Sequence, residues 1–230
     1  MDGFFNAYQA LDARMKLVDA VANNLANAQT TGFKRDFSRI LQTETGFEVA
    51  SQVDLSPGEL VNTGNELDAA IDGEGFFVLQ TPDGPRYTRS GSFSLNADGE
   101  LMTKDGARVL DAGGSPIVAS GVSVAIQDSG IVTVDGQEVA TLKIVTFTDK
   151  TKLQKEGLYR LAFNGTADQV QPVPEPRVKG GHLERSNVNP VTEMVHLMNA
   201  YREFEAVQRT VKTLMNDMNG KLIQELGRLT

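Results

Sequence analysis

The two ends of this sequence share a helical repeat that the middle of the chain lacks. In residues 4–25, apolar or small residues recur in alternating steps of four and three, which is the heptad pattern of a helix with one apolar stripe. The stripe positions are Phe4, Tyr8, Leu11, Met15, Val18, Ala22 and Leu25. The pattern predicts an N-terminal helix whose stripe packs against another helix.

A second heptad stripe follows a helix start signal near residue 190. Asn189 is suited to the N-cap, Pro190 to the first helical position and Glu193 to the first turn. The apolar positions, interrupted only by Gln208, are Met194, Leu197, Tyr201, Phe204, Val211, Met215, Met218 and Leu222, with Leu214 beside them. Together they predict a C-terminal helix from about Pro190 to about Leu226.

Between these helices the pattern changes to short β-branched or aromatic runs, such as residues 75–79 and 142–147. Tight-turn dipeptides separate the runs: Asp83-Gly84, Asp98-Gly99, Asp105-Gly106, Asp135-Gly136 and Asn164-Gly165. The segment QPVPEPR, residues 171–177, indicates an extended connector toward the C-terminal helix. The middle of the chain is therefore predicted to form an antiparallel domain of short strands.

The fold class predicted from these patterns is α+β, with an antiparallel all-β domain inserted between two long terminal helices. The corresponding divisions are residues 1–40 for the N-terminal helix and its following loop, 41–180 for the β domain and 181–230 for the C-terminal helix. The two stripes could pair within one chain, or they could contact other subunits. Methionines at several stripe positions favour contact with differently shaped neighbours, since their side chains are adaptable.

Charge is distributed unevenly along the chain. Residues 1–39 carry five basic and four acidic residues and residues 181–230 carry six of each, whereas residues 40–180 carry 11 basic and 20 acidic residues. Nearly neutral ends do not repel neighbouring copies, and an acidic middle without a basic stripe argues against nucleic-acid binding. The absence of Cys excludes disulfides and thiolate metal sites. No apolar run reaches the ~18 residues that span a bilayer, and no cleavable signal is recognisable.

Residues that could carry chemistry occur without the spacing that a site requires. The glycines of IDGEGFF lack the third Gly and the helix of a dinucleotide-binding loop, and Ser92 has no GxSxG elbow. His182 and His196 lack partners at metal-ligand spacing and are expected at the surface. Asp72 and Glu74 are acids of a type common in turns. We predict no catalytic, cofactor or metal site; an enzyme in the β domain is the alternative that turnover by residues 41–180 would support.

Three segments resemble the bacterial flagellar rod and hook family. NNLANAQTTGFKR, residues 23–35, resembles the family's N-terminal signature, Asn-Asn-(Leu/Ile)-Ala-Asn followed by Thr-x-Gly-(Phe/Tyr)-(Lys/Arg). Residues 186–213 are similar to its closing helix, and residues 57–110 resemble its central motif. The chain is therefore identified as a member of this family. It looks most like the proximal-rod members, with the distal-rod members close behind, whereas hook proteins are usually much longer.

The resemblance implies a coiled-coil inner layer made by both terminal helices, with the β domain projecting outward. It also implies helical polymerisation around a central export channel, forming a drive shaft. The implied partners are copies of the chain, neighbouring rod proteins and the flagellar type III export apparatus, without nucleic acid, small-molecule substrate, cofactor or membrane insertion. The implied location is the basal body, in the periplasmic space after export. An oligomerising carbohydrate-binding or adhesin module is the alternative from another class.

The residues expected to carry assembly are the two stripes, the signature loop and the start of the closing helix. The signature-loop residues are Asn23, Asn24, Leu25, Asn27, Gly32 and Phe33, and those before the closing helix are Asn187, Asn189 and Pro190. Carboxamides both donate and accept hydrogen bonds, so the loop asparagines are hypothesised to pair with a neighbouring subunit. The alternative is that they only end the helix. Gly32 is expected to turn the chain, and Phe33 to anchor it.

Overall fold

The structure, a computed structural model, describes residues 2–43 and 46–226. Within these ranges it describes the side chains of residues 5–43, 46–216, 218 and 220. The predicted stripe positions Phe4 and Leu222 lie outside the described side chains.

Two long helices occupy the ends of the chain, as predicted. Helix α1 spans Asp2–Ala26 and helix α2 spans Pro190–Leu226, and the two pack against each other. The start of α2 is the one that the sequence predicts. The Asn189 Oδ1 atom accepts hydrogen bonds from the backbone N–H groups of Val191 and Thr192, at 3.0 and 3.1 Å. These contacts satisfy two of the amides that a helix leaves without partners at its N-terminus.

The chain between the helices forms short β-strands. Their bounds are β1 Asp36–Thr43, β2 Gly46–Val53, β3 Leu60–Asn62, β4 Ala69–Ile71, β5 Phe76–Thr81, β6 Gly84–Thr88, β7 Phe93–Leu95, β8 Leu101–Thr103, β9 Arg108–Val109, β10 Val124–Ile126, β11 Ile131–Val134, β12 Gln137–Thr141, β13 Ile144–Phe147, β14 Leu153–Glu156, β15 Arg160–Phe163, β16 Val170–Pro172, β17 Val178–Gly180 and β18 His182–Glu184. The predicted fold class, an antiparallel β domain inserted between paired terminal helices, is confirmed.

The largest sheet has the strand order β14-β15-β6-β5-β9-β8-β7, and β13 pairs with both β5 and β16. Strands β10, β11 and β12 form a three-stranded sheet, while β17 pairs with β4 and β18 with β3. All pairings from β3 onward are antiparallel. The predicted connector at residues 171–177 is therefore partly sheet, because β16 pairs with β13 before the chain leaves the sheet.

Strand β5 separates two hydrophobic cores. Its side chains alternate between the faces of the sheet, so that Phe77 and Leu79 lie in one core and Phe76 and Val78 in the other. All four side chains are buried, which explains why this strand is a continuous apolar run rather than an alternating one. In the second core the Phe147 ring lies 4.7 Å from the Tyr87 ring in an edge-on arrangement.

Turn chemistry sets the strand register. Asp135 and Gly136 have φ angles of 51° and 82° and connect β11 to β12 directly, as a two-residue hairpin turn requires. The Asp83, Asp98 and Asp105 turns likewise join paired strands. Asn164-Gly165 differs, because it leads from β15 into a single 3₁₀ turn at Ala167–Gln169 rather than into a hairpin.

The chain forms two compact units. The helical unit contains α1, residues 36–52 and α2, and the β unit contains residues 27–35 and 53–187. Strands β1 and β2 pair with each other in a separate two-stranded sheet, and β1 packs against α1. The divisions at residues 40 and 180 stay a prediction about independently folding segments, which limited proteolysis of the full-length protein tests.

Candidate functional site

The predicted stripes are divided between a buried seam and exposed surface in the helical unit. Leu11, Val18, Leu25, Leu197 and Phe204 are partly covered, and Val211 is buried. The small residues Ala13 and Ala200 are also buried. The two helices therefore pair within one chain, which is the monomeric alternative, although this pairing covers only some of the stripe positions.

One face of α2 stays apolar and exposed. We define the exposed α2 stripe as Val191, Met194, Val195, Met198 and Tyr201, whose side chains are 52–70% exposed. These positions recur in steps of three and four and therefore share a helix face. On α1 the exposed apolar residues include Phe5, Tyr8 and Met15.

The seam side of α2 also becomes exposed toward its end. Met215, Met218 and Leu214 are 37–47% exposed. Helix α2 has 37 residues and α1 has 25, so α1 covers only part of its partner. That these three residues contact other subunits stays a prediction.

Asn24 forms a two-point contact with the start of β1. Its Nδ2 atom donates to the Asp36 carbonyl oxygen and its Oδ1 atom accepts from the Asp36 N–H, both at 2.8 Å. The Asn24 side chain is 1% exposed. Both ends of the Asn24 carboxamide are therefore used within the chain, and the hypothesis that it also pairs with a neighbouring subunit stays a prediction. A carboxamide is required because it presents a donor and an acceptor side by side.

We predict that Asn24→Asp destabilises the helical unit by about 1–3 kcal/mol, because a carboxylate cannot donate to the Asp36 carbonyl and is buried beside it. The control is Asn23→Asp, which adds the same charge at an exposed position. Urea unfolding followed by circular dichroism gives the free energies, and hydrogen exchange at the Asp36 amide gives the local effect. Equal stability of the two variants would contradict the role assigned to the Asn24 side chain.

From Asn27 onward, the signature loop belongs to the β unit. The Asn27 Oδ1 atom accepts a hydrogen bond from the Thr30 hydroxyl at 3.1 Å, which closes a turn. Gly32 has a φ of +69°, and a Cβ atom there would lie 2.4 Å from the Ser90 nitrogen. Only glycine fits this position, which explains the Gly of the motif. Phe33 is fully buried, and the Lys155 Nζ atom lies 3.4 Å from its ring centroid. The expected turn at Gly32 and anchor at Phe33 are both present.

Lys34 enters a buried charge cluster with Glu184 and Arg89. The Glu184 carboxylate accepts hydrogen bonds from Lys34 Nζ at 2.6 Å, from Arg89 Nε at 2.7 Å and from the Gly58 N–H at 2.8 Å. The side chains of these three charged residues are at most 5% exposed. Burial lowers the pKa of the Lys34 ammonium, while the Glu184 carboxylate acts in the opposite direction.

Other polar groups complete the environment of the cluster. The Arg89 guanidinium donates to the carbonyl oxygens of Gly73, Gly75 and Ile71 at 2.7–3.2 Å, and Lys34 Nζ also donates to the Ser56 carbonyl. Both cations are therefore paired and hydrogen-bonded, as buried charges require.

Asn187 fastens the same loop at a second point. Its Oδ1 atom accepts from the Arg35 N–H at 2.8 Å, and its Nδ2 atom donates to the Asp54 carbonyl at 2.9 Å. The Asn187 carboxamide therefore joins three segments of one chain, and its predicted subunit-interface role stays a prediction. Asn189 is likewise engaged in capping α2. Pro190 is exposed at the first helical position, and its interface role stays a prediction.

Sequence reasoning missed Glu184 and Arg89. Their only local signal is a charged residue inside an otherwise apolar or extended segment, and nothing in that signal identifies a partner. Glu184 is 150 residues from Lys34 and 95 residues from Arg89 in the sequence. Only the fold brings the three charges together.

Three family models match the chain. The Flagella basal body rod protein model matches residues 6–34, the Flagellar hook protein FlgE/F/G D1 domain matches residues 70–134, and the Flagellar basal body rod FlgEFG protein C-terminal model matches residues 179–225. Each matched segment contains one member of the buried charge cluster: Lys34, Arg89 and Glu184, respectively.

Similar proteins match the chain over nearly its whole length. The flagellar basal-body rod protein FlgF of Caulobacter vibrioides is 34% identical over 96% of this chain and 98% of its own. FlgF of Rhizobium meliloti is 35% identical over 96% and 97%, respectively. The chain belongs to the flagellar basal-body rod protein family. Another rod protein, FlgG of Bacillus subtilis, is 32% identical over 92% of each chain.

Membership of the rod protein family makes this chain a structural protein of the flagellar basal body and not an enzyme. The two acids considered for catalysis form ion pairs with lysines. Asp72 pairs with Lys179 at 3.4 Å, and Glu74 pairs with Lys150 at 3.0 Å. Within residues 2–43 and 46–226, no cluster of three or more His, Asp or Glu residues is placed to hold a metal ion. Neither helix, over its described length, is apolar enough to cross a membrane.

Proposed function

We propose that this rod protein is a proximal-rod subunit that polymerises helically through its terminal helices around a central export channel. The observation that carries the proposal is the exposed α2 stripe. Packing of α1 against α2 leaves this stripe uncovered, together with Phe5, Tyr8 and Met15 on α1. Contiguous exposed apolar surface of this kind is typical of protein–protein contacts.

The chemistry of the stripe fits contacts with several differently shaped neighbours. Met194 and Met198 are unbranched and adaptable, and Tyr201 adds a large, rigid contact. A subunit in a helical array meets more than one neighbour, through surfaces that differ from each other. The nearly neutral ends of the chain allow these helices to pack side by side without net repulsion.

The proximal-rod assignment rests on the resemblance of the sequence to proximal-rod members, and the degree of identity to individual relatives differs little. The relatives named FlgF are 34–36% identical to this chain, and those named FlgG are 28–32% identical. The difference is small, so the position of the subunit along the rod is the quantity to measure.

The same proposal includes passage through the flagellar type III export apparatus and assembly in the periplasmic space. Subunit partners are then copies of this chain and the neighbouring rod proteins. The chain has no cysteine, so its folding after export needs no oxidative step.

Electron microscopy of isolated basal bodies tests this function. A strain deleted for the gene is complemented with the protein carrying a small electron-dense tag in the Asp135-Gly136 turn, which is exposed. We expect motility to return and the label to lie on the membrane-proximal part of the rod. Label on the distal part would reassign the subunit, and a motile strain whose basal bodies carry no label would contradict the proposal.

A further inference from the structure

The Asn164-Gly165 dipeptide follows strand β15 and leads into the 3₁₀ turn Ala167–Gln169. An asparagine followed by glycine deamidates more readily than other asparagines, because glycine has no side chain that hinders attack by its own backbone nitrogen. The sequence contains this dipeptide twice, at residues 164–165 and 219–220. The two copies lie in different backbone environments, so their reactivities are expected to differ.

The reacting groups of the first copy are accessible. The Asn164 side chain is exposed, and its carboxamide forms no hydrogen bond with any residue that the structure describes. The Gly165 N–H likewise donates to no acceptor in the described part of the chain, since β15 ends at Phe163 and the 3₁₀ turn begins at Ala167. The carboxamide can therefore rotate toward the Gly165 nitrogen, and no hydrogen bond has to break first.

The second copy is held in a helix. Asn219-Gly220 lies inside α2, which spans Pro190–Leu226. In an α-helix each N–H donates to the carbonyl oxygen four residues earlier, so the Gly220 nitrogen is engaged by the carbonyl of residue 216. This nitrogen must leave the helical hydrogen bond before it can attack a side chain, and the second copy is therefore protected.

Packing explains why glycine is needed after Asn164. A Cβ atom at Gly165 would lie 2.3 Å from Phe163 Cζ and 2.5 Å from Gln169 Oε1. The Phe163 ring is itself held in place, because its centroid lies 4.5 Å from that of Phe147 in the second hydrophobic core. A larger residue, which would slow deamidation, does not fit at position 165.

We propose that Asn164 is a site of spontaneous deamidation, at which asparagine converts to aspartate and isoaspartate without an enzyme. The Gly165 nitrogen loses its proton to solvent base and attacks the Asn164 Cγ atom. A bond forms between these two atoms, the Cγ–Nδ2 bond breaks, and the departing nitrogen takes up a proton and leaves as ammonia. A five-membered succinimide ring remains.

Water then opens the ring at one of its two carbonyl carbons. Attack at the side-chain carbonyl gives aspartate, whereas attack at the backbone carbonyl gives isoaspartate, in which the main chain runs through the side-chain carbons of residue 164. Both products add one negative charge to a chain whose net charge is −8. This chemistry is independent of the proposed polymerisation.

The isoaspartate product lengthens the backbone where neighbouring contacts are close. The Asn164 N–H donates to the Lys152 carbonyl oxygen at 3.0 Å, and Lys152 Nζ donates to Gln169 Oε1 at 3.0 Å. The segment from Asn164 to Gln169 is therefore fastened to Lys152 at both ends. An additional backbone carbon between these contacts is expected to displace the 3₁₀ turn. The Thr148 amide reports this displacement, because it donates to the Gln169 carbonyl oxygen at 3.0 Å.

Ageing of the purified full-length protein tests the modification. Folded and urea-unfolded samples are incubated at mildly alkaline pH, and mass spectrometry with electron-based fragmentation locates aspartate and isoaspartate. We expect Asn164 in the folded protein to deamidate within about threefold of its rate in the unfolded chain, whereas α2 slows Asn219 at least about fivefold. An Asn164 that stays intact in the folded protein while the unfolded sample converts would overturn the inference. Faster conversion of Asn219 than of Asn164 in the folded protein would overturn it too.

Asn164→Gln is the matched variant, because it keeps the carboxamide while cyclisation needs a less favourable six-membered ring. In aged wild-type protein we expect hydrogen exchange at the Thr148 amide to be at least about twofold faster than in fresh protein. The rate is expected to stay unchanged in aged Asn164→Gln. Fresh Asn164→Asp carries the new charge on a normal backbone, and its Thr148 amide is expected to exchange as in fresh wild type. Equal exchange at Thr148 in aged and fresh wild type would contradict the structural effect of isoaspartate.

Discussion

Replacing Met198 with Asp is expected to abolish incorporation of the subunit into the rod while leaving the stability of the dilute protein unchanged. Met198 lies at the centre of the exposed α2 stripe and is 57% exposed. A substitution at such a position changes the free energy of unfolding by about 0.5 kcal/mol or less. In an assembled rod the same position is covered by another subunit, and an unpaired buried charge there costs several kcal/mol.

The neighbouring residue provides a matched control. Asn199 is exposed and polar, so Asn199→Asp adds the same charge beside the stripe without replacing an apolar side chain. We expect Met198→Asp cells to secrete the subunit without assembling it and to be non-motile, and Asn199→Asp cells to swim. Subunit content of purified basal bodies, compared with the amount secreted, is the measurement. Normal assembly of Met198→Asp would show that the stripe is not an interface.

The division of α2 into two faces could not be predicted from its heptad alone. The pattern places Met194 and Tyr201 in the same stripe as Leu197 and Phe204, yet the first two are exposed and the other two are partly covered. Steps of three and four identify an apolar surface but not the partner that covers each part of it. The heptad does not distinguish the exposed positions from the covered ones, because α2 is apolar around a wide arc.

Local chemistry did predict the elements themselves. The Asn189 cap defines the start of α2, and the Asp-Gly dipeptides define hairpin turns, because each signal acts within a few residues. The β1–β2 hairpin was not anticipated as part of the helical unit. Its strands alternate between partly covered and exposed residues. No pattern in residues 36–52 predicts that these strands belong with α1 rather than with the β unit.

For the carboxamides too, the sequence predicts the type of contact but not the partner. The sequence predicts that Asn24 forms specific hydrogen bonds, and in the structure it forms two with Asp36 of its own chain. A residue type indicates which bonds are possible, whereas the identity of the partner depends on which backbone the fold brings near. Asp36 lies twelve positions after Asn24, with most of the signature loop between them.

The largest effect on stability is expected at Glu184. Among the residues that the structure describes, Glu184 is the acid that forms ion pairs with Lys34 and Arg89, and replacement by Gln removes its charge while keeping the size of the side chain. Breaking a buried ion pair by neutralising one partner costs about 3–5 kcal/mol, because the remaining charge stays buried. Here two cations remain, so we expect Glu184→Gln to lower the free energy of unfolding by at least this amount. The control is Glu59→Gln, an exposed carboxylate that pairs with Arg185 at 3.6 Å.

Trypsin distinguishes release of the signature loop from general unfolding. Lys34 is 3% exposed in the folded chain, so cleavage after this residue is slow while the cluster is intact. In Glu184→Gln we expect rapid cleavage there under conditions in which the hydrophobic cores of the β unit remain folded. Replacing all three charges by apolar residues is not expected to rescue stability. It would leave the carbonyl oxygens of Gly73 and Gly75 without the Arg89 donor. Equal unfolding free energies of Glu184→Gln and Glu59→Gln would show that the cluster does not hold the loop.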